Sequence, residues 1–146
     1  MLLAGESHRR MEEFFRHHLG DERLRLPRVR FYAGRFAGWL TGTFGIGAIT
    51  FGSRVYVAPA LVWRDADDRL VMPSELAVHE AAHVLQYGRN GFVRFLFLYL
   101  RDYAWALGRE AGGARERHRA AYLAIKFEVE ARAAAESYAA WSGGAD

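Results

Sequence analysis

The stretch SELAVHEAAHVLQYG, residues 74–88, decides how the rest of this chain is interpreted. Its composition predicts a helix that begins at Ser74, because serine is a favourable N-cap, Pro73 precedes it and Glu75 falls in the first turn. We expect the helix to end at Gly88, since glycine readily adopts the left-handed conformation of a helix end.

The HEAAH motif places His79 and His83 one turn apart on the same helix face, where both imidazoles can reach one metal ion. Zinc accepts neutral imidazole nitrogens at about 2.0–2.1 Å, and a catalytic site leaves one of four positions for water. Glu80 can face the metal without binding it, accept a proton from the zinc-bound water and pass the proton to the leaving amine. The motif therefore predicts a catalytic zinc site that still needs a third protein ligand.

The chain contains no cysteine, so that third ligand must be a histidine or a carboxylate. The segment FEVEAR, residues 127–132, offers Glu128 and Glu130. On a helix, Glu128 shares its face with small and apolar residues: Ala121, Ala124, Ile125, Ala131 and Ala135. A carboxylate in such a stripe needs a partner, because an unpaired buried charge is very costly. We favour Glu128 as the ligand, with Glu130 as the alternative, although Glu130 could also form a surface ion pair with Lys126.

The motif and its surroundings resemble a known arrangement. HEAAHVLQYGRNG, followed by an aromatic helix and then FEVEA, is similar to the gluzincin class of HExxH metallopeptidases, including minimal gluzincins and bacterial HExxH domains of unknown function. The similarity extends from about residue 48 to residue 135. It implies a zincin-like fold with His79, His83 and Glu128 as zinc ligands and Glu80 as the general base.

The resemblance also implies that a hairpin ahead of the motif helix supplies an edge strand for extended substrate, although a purely structural hairpin fits the sequence equally well. The chain departs from the class at Arg132, where many gluzincins carry an aspartate that supports a ligand histidine. The sequence therefore names no orienting partner for either histidine. Candidates for stabilising the oxyanion are Tyr99, Tyr103, Tyr122 and Arg89.

The whole chain, residues 1–146, is predicted to form one α+β domain. We expect a small antiparallel sheet packed on the motif helix, further C-terminal helices behind it, and zinc between the motif helix and the last helix. The predicted elements are an opening helix at 6–19, a strand near 28–32, a hairpin at 48–58, an exposed turn at 64–69, a helix at 92–107 and an uninterrupted helix at 115–141. Residues 34–47 fit a loop or a short helix.

The composition argues against a membrane span, an export signal and a nucleic-acid partner. The apolar stretches at 38–51 and 91–100 are too short to span a bilayer. We expect the second to be a packed core helix rather than a helix that touches a membrane surface through its aromatic face. Residues 1–15 lack the apolar run of an export signal, so we expect a cytoplasmic protein. Although 19 of the 20 basic residues are arginine and the net charge is +3, the arginines are spread along the chain, which makes nucleic-acid binding an unlikely function.

The sequence thus predicts a zinc-dependent metallopeptidase that hydrolyses peptide bonds of a peptide or protein substrate through a zinc-bound water activated by Glu80. Two alternatives stay open: a catalytically silent zinc-stabilised binding or scaffold module, and a basic nucleic-acid-associated protein. The remaining histidines have no partners at metal-binding spacing and are expected to be surface or packing residues: His8, His17, His18 and His118. Neither the oligomeric state nor the substrate preference follows from the sequence.

Overall fold

A computed structural model describes residues 4–66 and 70–143 of the chain. These residues form an α+β fold of helices around a small sheet, as predicted. The helices are α1 (Gly5–Leu19), α2 (Arg35–Phe44), α3 (Ser74–Asn90), α4 (Phe92–Arg109), α5 (Ala114–Ala124) and α6 (Lys126–Gly143). The strands are β1 (Arg30–Tyr32), β2 (Ala48–Phe51), β3 (Arg54–Val57), β4 (Trp63–Arg64) and β5 (Leu70–Val71), with a 3-10 helix at Pro59–Leu61.

The main sheet has the strand order β1-β3-β2. The predicted hairpin is confirmed: β2 and β3 pair antiparallel around a turn in which Gly52 has a φ of 61°, a conformation that glycine adopts without strain. The expectation of an antiparallel sheet is wrong for β1, which pairs parallel with β3. Helix α2 separates β1 from the hairpin in the chain, and because β1 is parallel to β3 while β2 is antiparallel to it, the sheet is mixed.

A second, two-stranded sheet of β4 and β5, which the sequence does not predict, flanks the predicted exposed turn at 64–69. Asp65 and Ala66, between these strands, are exposed as expected. The rest of the predicted turn, Asp67, Asp68 and Arg69, lies outside the described residues.

The motif helix α3 is longer than predicted. It passes through Gly88 and ends at Gly91, whose φ of 74° lies in the region that favours glycine. Its N-cap is Pro73, and the Ser74 side chain makes no capping hydrogen bond. The two additional residues bring Asn90 into the helix, where its side-chain amide donates to the backbone carbonyl of Gln86 at 2.8 Å.

The prediction of an uninterrupted helix at 115–141 is wrong, because the helix is interrupted at Ile125. This residue has an extended backbone, with φ −60° and ψ 127°, between α5 and α6. Its side chain is fully buried in a cluster with Tyr87, Phe95 and Phe127. No proline or glycine lies at this interruption; instead, the Ile125 side chain packs into the core there. Glu128 consequently lies in the first turn of α6, so the small-residue stripe expected to run through Ala121 and Ala124 is interrupted.

The core of the domain surrounds α3, which packs most extensively against α6 and also contacts β2. Ala81 of α3 and Ala131 of α6 are fully buried. In contrast, α4 buries only Phe95 completely, so the prediction of a packed core helix at 91–100 holds only for the side that carries Phe95, Leu98 and Tyr99. In the part of the chain that the structure describes, none of the helices combines the length and apolarity needed to cross a bilayer.

Candidate metal centre

Three side chains from α3 and α6 converge at the interface between these helices. The Nε2 atoms of His79 and His83 lie 3.2 Å apart. Each nitrogen is also 3.3 Å from a different carboxylate oxygen of Glu128, Oε2 for His79 and Oε1 for His83. Among residues 4–66 and 70–143, these three form the one group of histidine and acidic side chains arranged to hold a metal ion. The structure therefore brings together the three residues that the sequence predicts as ligands.

The separations within this group fit a metal ion of zinc's size. Ligand atoms at 2.0–2.1 Å from a tetrahedral centre lie about 3.3–3.4 Å from one another, close to the 3.2–3.3 Å between the histidine nitrogens and the Glu128 oxygens. Oε2 of Glu128 is buried and accepts no hydrogen bond. Such an acceptor needs a partner, because an unsatisfied buried oxygen costs about 1–3 kcal/mol, and a cation would supply one.

Gln86 determines which nitrogen of His83 faces the cluster. The Gln86 amide nitrogen donates to the carbonyl oxygen of Phe127 at 3.0 Å, so the opposite end of that amide is an acceptor. This acceptor, Oε1, lies 2.8 Å from Nδ1 of His83, and Nδ1 must therefore carry the proton. The lone pair of Nε2 then points into the cluster, which is the tautomer that metal binding requires.

The charges in the cluster reinforce one another. Burial alone would raise the pKa of Glu128, but its close contacts with His79, His83 and Tyr99 hold that pKa far below the usual range. Burial lowers the pKa of His83, but the contact with Glu128 and its charge outweigh burial, so the pKa is raised. The carboxylate is therefore ionised near neutral pH, as a metal ligand must be.

Glu80 is also buried, with only 4% of its surface exposed. Its Oε2 accepts a 2.6 Å hydrogen bond from the hydroxyl of Thr50 on β2. Thr50 pairs in register with Val55 on the inner face of the sheet, which is how the sheet reaches the motif helix. The sequence interpretation missed this partner, although the alternation of the predicted hairpin places Thr50 on the same face as Ala48.

Two of the four predicted oxyanion candidates reach the cluster. The Tyr99 hydroxyl, from α4, donates to Oε1 of Glu128 at 2.8 Å, and Tyr122 of α5 lies near enough to Glu128 for that carboxylate to raise its pKa. Burial raises the pKa of both phenols, and the charges of Glu128 and Glu80 raise it further. Both hydroxyls therefore remain protonated donors. Tyr103 instead pairs with His118, and Arg89 is exposed.

The alternative ligand Glu130 stands outside the cluster. Its side chain is half exposed and lies 3.8 Å from the Lys126 amine, one turn away on α6. Its Oε2 also accepts a 3.2 Å hydrogen bond from Gln86. Glu130 thus supports the residue that orients His83, while Glu128 faces the two histidines directly.

Comparison with known proteins adds no assignment: the chain matches no protein family, no curated protein and no solved structure. What can be inferred about function rests on the geometry of the cluster and on the residues around it.

Proposed function

We propose that this protein is a zinc-dependent metallopeptidase of the zincin-like type. The observation that carries the proposal is the convergence of His79, His83 and Glu128 at tetrahedral ligand spacing, with Glu80 of the same motif buried beside them. A metal that only stabilised the fold would need no additional carboxylate on the motif helix. The presence of Glu80, anchored by Thr50, favours hydrolysis over a silent scaffold.

Zinc is the metal that this donor set favours. Two imidazole nitrogens and one carboxylate form the ligand set of several hydrolytic zinc enzymes, whereas magnesium and calcium prefer oxygen ligands alone. Bound zinc would supply Lewis acidity, which makes water a nucleophile near neutral pH. Nitrogen-binding metals other than zinc could compete for the same ligands, so metal analysis of the purified protein belongs to the test.

The chain's own residues have separate tasks in this proposal. Glu80 accepts the proton of the attacking water and delivers it to the leaving amine, and the Thr50 hydroxyl holds its carboxylate in one orientation. Tyr99 and Tyr122 are neutral donors next to Glu128, where they can hydrogen-bond to charge that develops on the scissile carbonyl. Gln86 keeps His83 in the binding tautomer.

The test is cleavage of an unfolded protein such as casein by wild type and by Glu80→Gln, with zinc content measured on both. We expect about one zinc per chain in each protein and loss of cleavage by at least about a hundredfold in the variant, as removal of a general base predicts. Glu75→Gln is the matched control, because Glu75 lies on the same helix in an exposed position, and it should cleave like wild type.

Wild type that binds zinc stoichiometrically but cleaves neither casein nor short peptides would contradict the peptidase proposal. Equal activity of Glu80→Gln and wild type would contradict the role assigned to Glu80.

A further inference from the structure

Helix α2 has the reverse of the usual arrangement of a surface helix. Its buried positions are small or polar, Ala37 and Thr41, and Gly38 lies against the ring of Pro59. Its large apolar side chains point outward: Trp39 is 63% exposed and Phe44 is 62% exposed. A helix that faces only water normally shows the opposite pattern, so the outer face of α2 needs another explanation.

The outward rings of α2 continue onto the outer face of the main sheet. Tyr56 of β3 contacts three other rings: it stacks on Tyr32 at 5.2 Å, meets Phe36 edge-on at 5.6 Å and lies 6.3 Å from Phe51. Phe36 in turn lies 5.8 Å from Trp39. We call these five side chains, together with the exposed Phe44 at the C-terminal end of α2, the aromatic surface: Tyr32, Phe36, Trp39, Phe51, Tyr56 and Phe44. Exposed apolar patches of this kind usually mark interaction sites.

The chain around the aromatic surface carries charge of one sign. Residues 23–64 contain seven arginines and no aspartate or glutamate. Arg30 and Arg54 are register partners on β1 and β3, on the same outer face as Tyr32 and Tyr56. Both arginines are exposed, and neither forms an ion pair with any residue that the structure describes. The aromatic surface is therefore bordered by Arg30 and Arg54, two positive charges that have no acidic partner among residues 4–66 and 70–143.

We propose that the aromatic surface and its arginines bind the surface of an anionic phospholipid bilayer. Amphipathic elements that rest in the interfacial layer of a membrane combine Trp, Phe and Leu on one face with basic residues around them. Each arginine near an anionic bilayer contributes about 1 kcal/mol of attraction. The protein would lie on the membrane with the outer face of α2 at the boundary between headgroups and acyl chains.

The arrangement of the rings favours lipid over single-stranded nucleic acid. Nucleotide bases need open aromatic faces on which to stack, whereas Tyr32 and Tyr56 already stack on each other. The most exposed rings, on α2, belong to a segment without any charged residue from Phe36 to Ser53. That segment offers no arginine to a phosphate backbone but suits insertion among acyl chains.

The test is co-sedimentation of the full chain with vesicles of phosphatidylcholine alone and of an equal mixture with phosphatidylglycerol, at about 0.1 M salt. We expect wild type to bind the mixed vesicles far better than the neutral ones. Trp39→Ser combined with Phe44→Ser should weaken that binding at least about tenfold, because two aromatic side chains no longer enter the apolar region. Both residues are exposed, so the fold and the zinc content should be retained.

Two pairs of arginine substitutions distinguish attraction between the aromatic surface and the vesicles from a general effect of the protein's net charge. Arg30→Gln with Arg54→Gln should reduce binding to the mixed vesicles roughly thirtyfold. Arg115→Gln with Arg119→Gln removes the same charge from exposed positions on α5 and should change binding less than about threefold.

Three outcomes would overturn the proposal. The first is equal binding of wild type to neutral and mixed vesicles, or none to either. The second is a dimer in analytical ultracentrifugation that Trp39→Ser with Phe44→Ser dissociates, without vesicle binding, which would assign the surface to a second copy of the chain. The third is binding of a single-stranded oligonucleotide, but not of vesicles, that depends on Arg30 and Arg54. None of these readouts depends on peptidase activity.

Discussion

Helices α3 and α4 follow each other in the chain and have nearly the same length, 17 and 18 residues, yet their burial is opposite. Ten residues of α3 are buried, whereas α4 buries Phe95 alone. The buried residues of α3 include three polar ones, Glu80, His83 and Gln86. The exposed residues of α4 include six large apolar ones: Phe92, Val93, Leu96, Phe97, Leu100 and Trp105.

The difference teaches that burial in this protein follows the partners that the fold supplies, more than the polarity of the side chain. Each buried polar residue of α3 contacts a defined partner on another element or on its own helix: Thr50 for Glu80, Gln86 for His83, and the Phe127 carbonyl for Gln86. Hydrogen-bonded polar groups are tolerated in a core, whereas unpaired ones are not. Helix α4 instead packs against its neighbours along one narrow side.

The largest effect should come from removing the carboxylate that joins α3 to α6. Glu128→Ala deletes one of the three proposed ligands and leaves two histidine nitrogens facing each other, so we expect zinc affinity to fall by more than the 10- to 100-fold typical of losing a residue that only supports a ligand. Zinc content after dialysis and a competition titration with a chelator measure this. Glu130→Ala is the control and should keep its zinc; if it lost zinc and Glu128→Ala did not, Glu128 would not be the ligand.

Two phenylalanines of α4 test whether the buried side of this helix contributes more to stability than its exposed side. The Phe95 ring lies 3.9 Å from Tyr87 and 4.5 Å from Phe127, so Phe95→Ala should lower the free energy of unfolding by about 3–5 kcal/mol. Phe97 is 64% exposed, and Phe97→Ala should change the same quantity by no more than about 0.5 kcal/mol. Urea unfolding of both variants gives the comparison. Equal losses would mean that the outer side of α4 is packed after all.

Substitution of Gln86 tests whether this buried residue of α3 affects metal affinity through its hydrogen bond with His83. Gln86→Leu keeps the volume approximately but removes the acceptor for Nδ1 of His83, so zinc affinity should fall about 10- to 100-fold. Asn90→Ala breaks the hydrogen bond to the Gln86 carbonyl and leaves the Gln86 side chain in place, so zinc affinity should stay near the wild-type value. A chelator competition on the three proteins checks this, and an unchanged affinity in Gln86→Leu would remove Gln86 from the site.

The smallest effect should come from Glu12 on α1, which does not belong to the cluster of His79, His83 and Glu128. Glu12 accepts a hydrogen bond from the Leu26 amide at 2.9 Å and pairs with Arg16 and Arg25. Burial alone would raise the pKa of Glu12, but these partners outweigh it and lower the pKa from its ordinary value of 4.5. Glu12→Gln should therefore cost about 0.5–1.5 kcal/mol of unfolding free energy at neutral pH.

The sign of this effect follows from linkage. Because the folded-state pKa of Glu12 is the lower one, its contribution is complete above the unfolded-state pKa and disappears as the pH falls through the folded-state pKa. Urea unfolding of wild type and Glu12→Gln should show the full difference near neutral pH and a shrinking one under acid conditions. A difference that grew on acidification would contradict the ion-pair assignment.

Much of the fold could be predicted because the signals are local. The hairpin at 48–58 has β-rich runs on both sides of Gly52-Ser53, and the opening helix ends at Gly20, whose φ is 62°. The break at Ile125 could not be predicted from local signals, because residues 115–141 contain neither proline nor glycine. The isoleucine side chain is buried among rings from α3, α4 and α6, and helix propensity does not report such packing.

The sequence by itself determined the local part of the candidate site. Two histidines four residues apart share a helix face in any α-helix, so the pairing of His79 with His83 needed only the helical period. Tertiary structure decided which carboxylate completes the cluster, Glu128 rather than Glu130, and which residues hold Glu80 and His83. It also decided that several large apolar side chains of α2 and α4 face outward. These outcomes depend on contacts between residues distant in the chain, and hydrophobic periodicity shows that a helix has an apolar face without showing what that face meets.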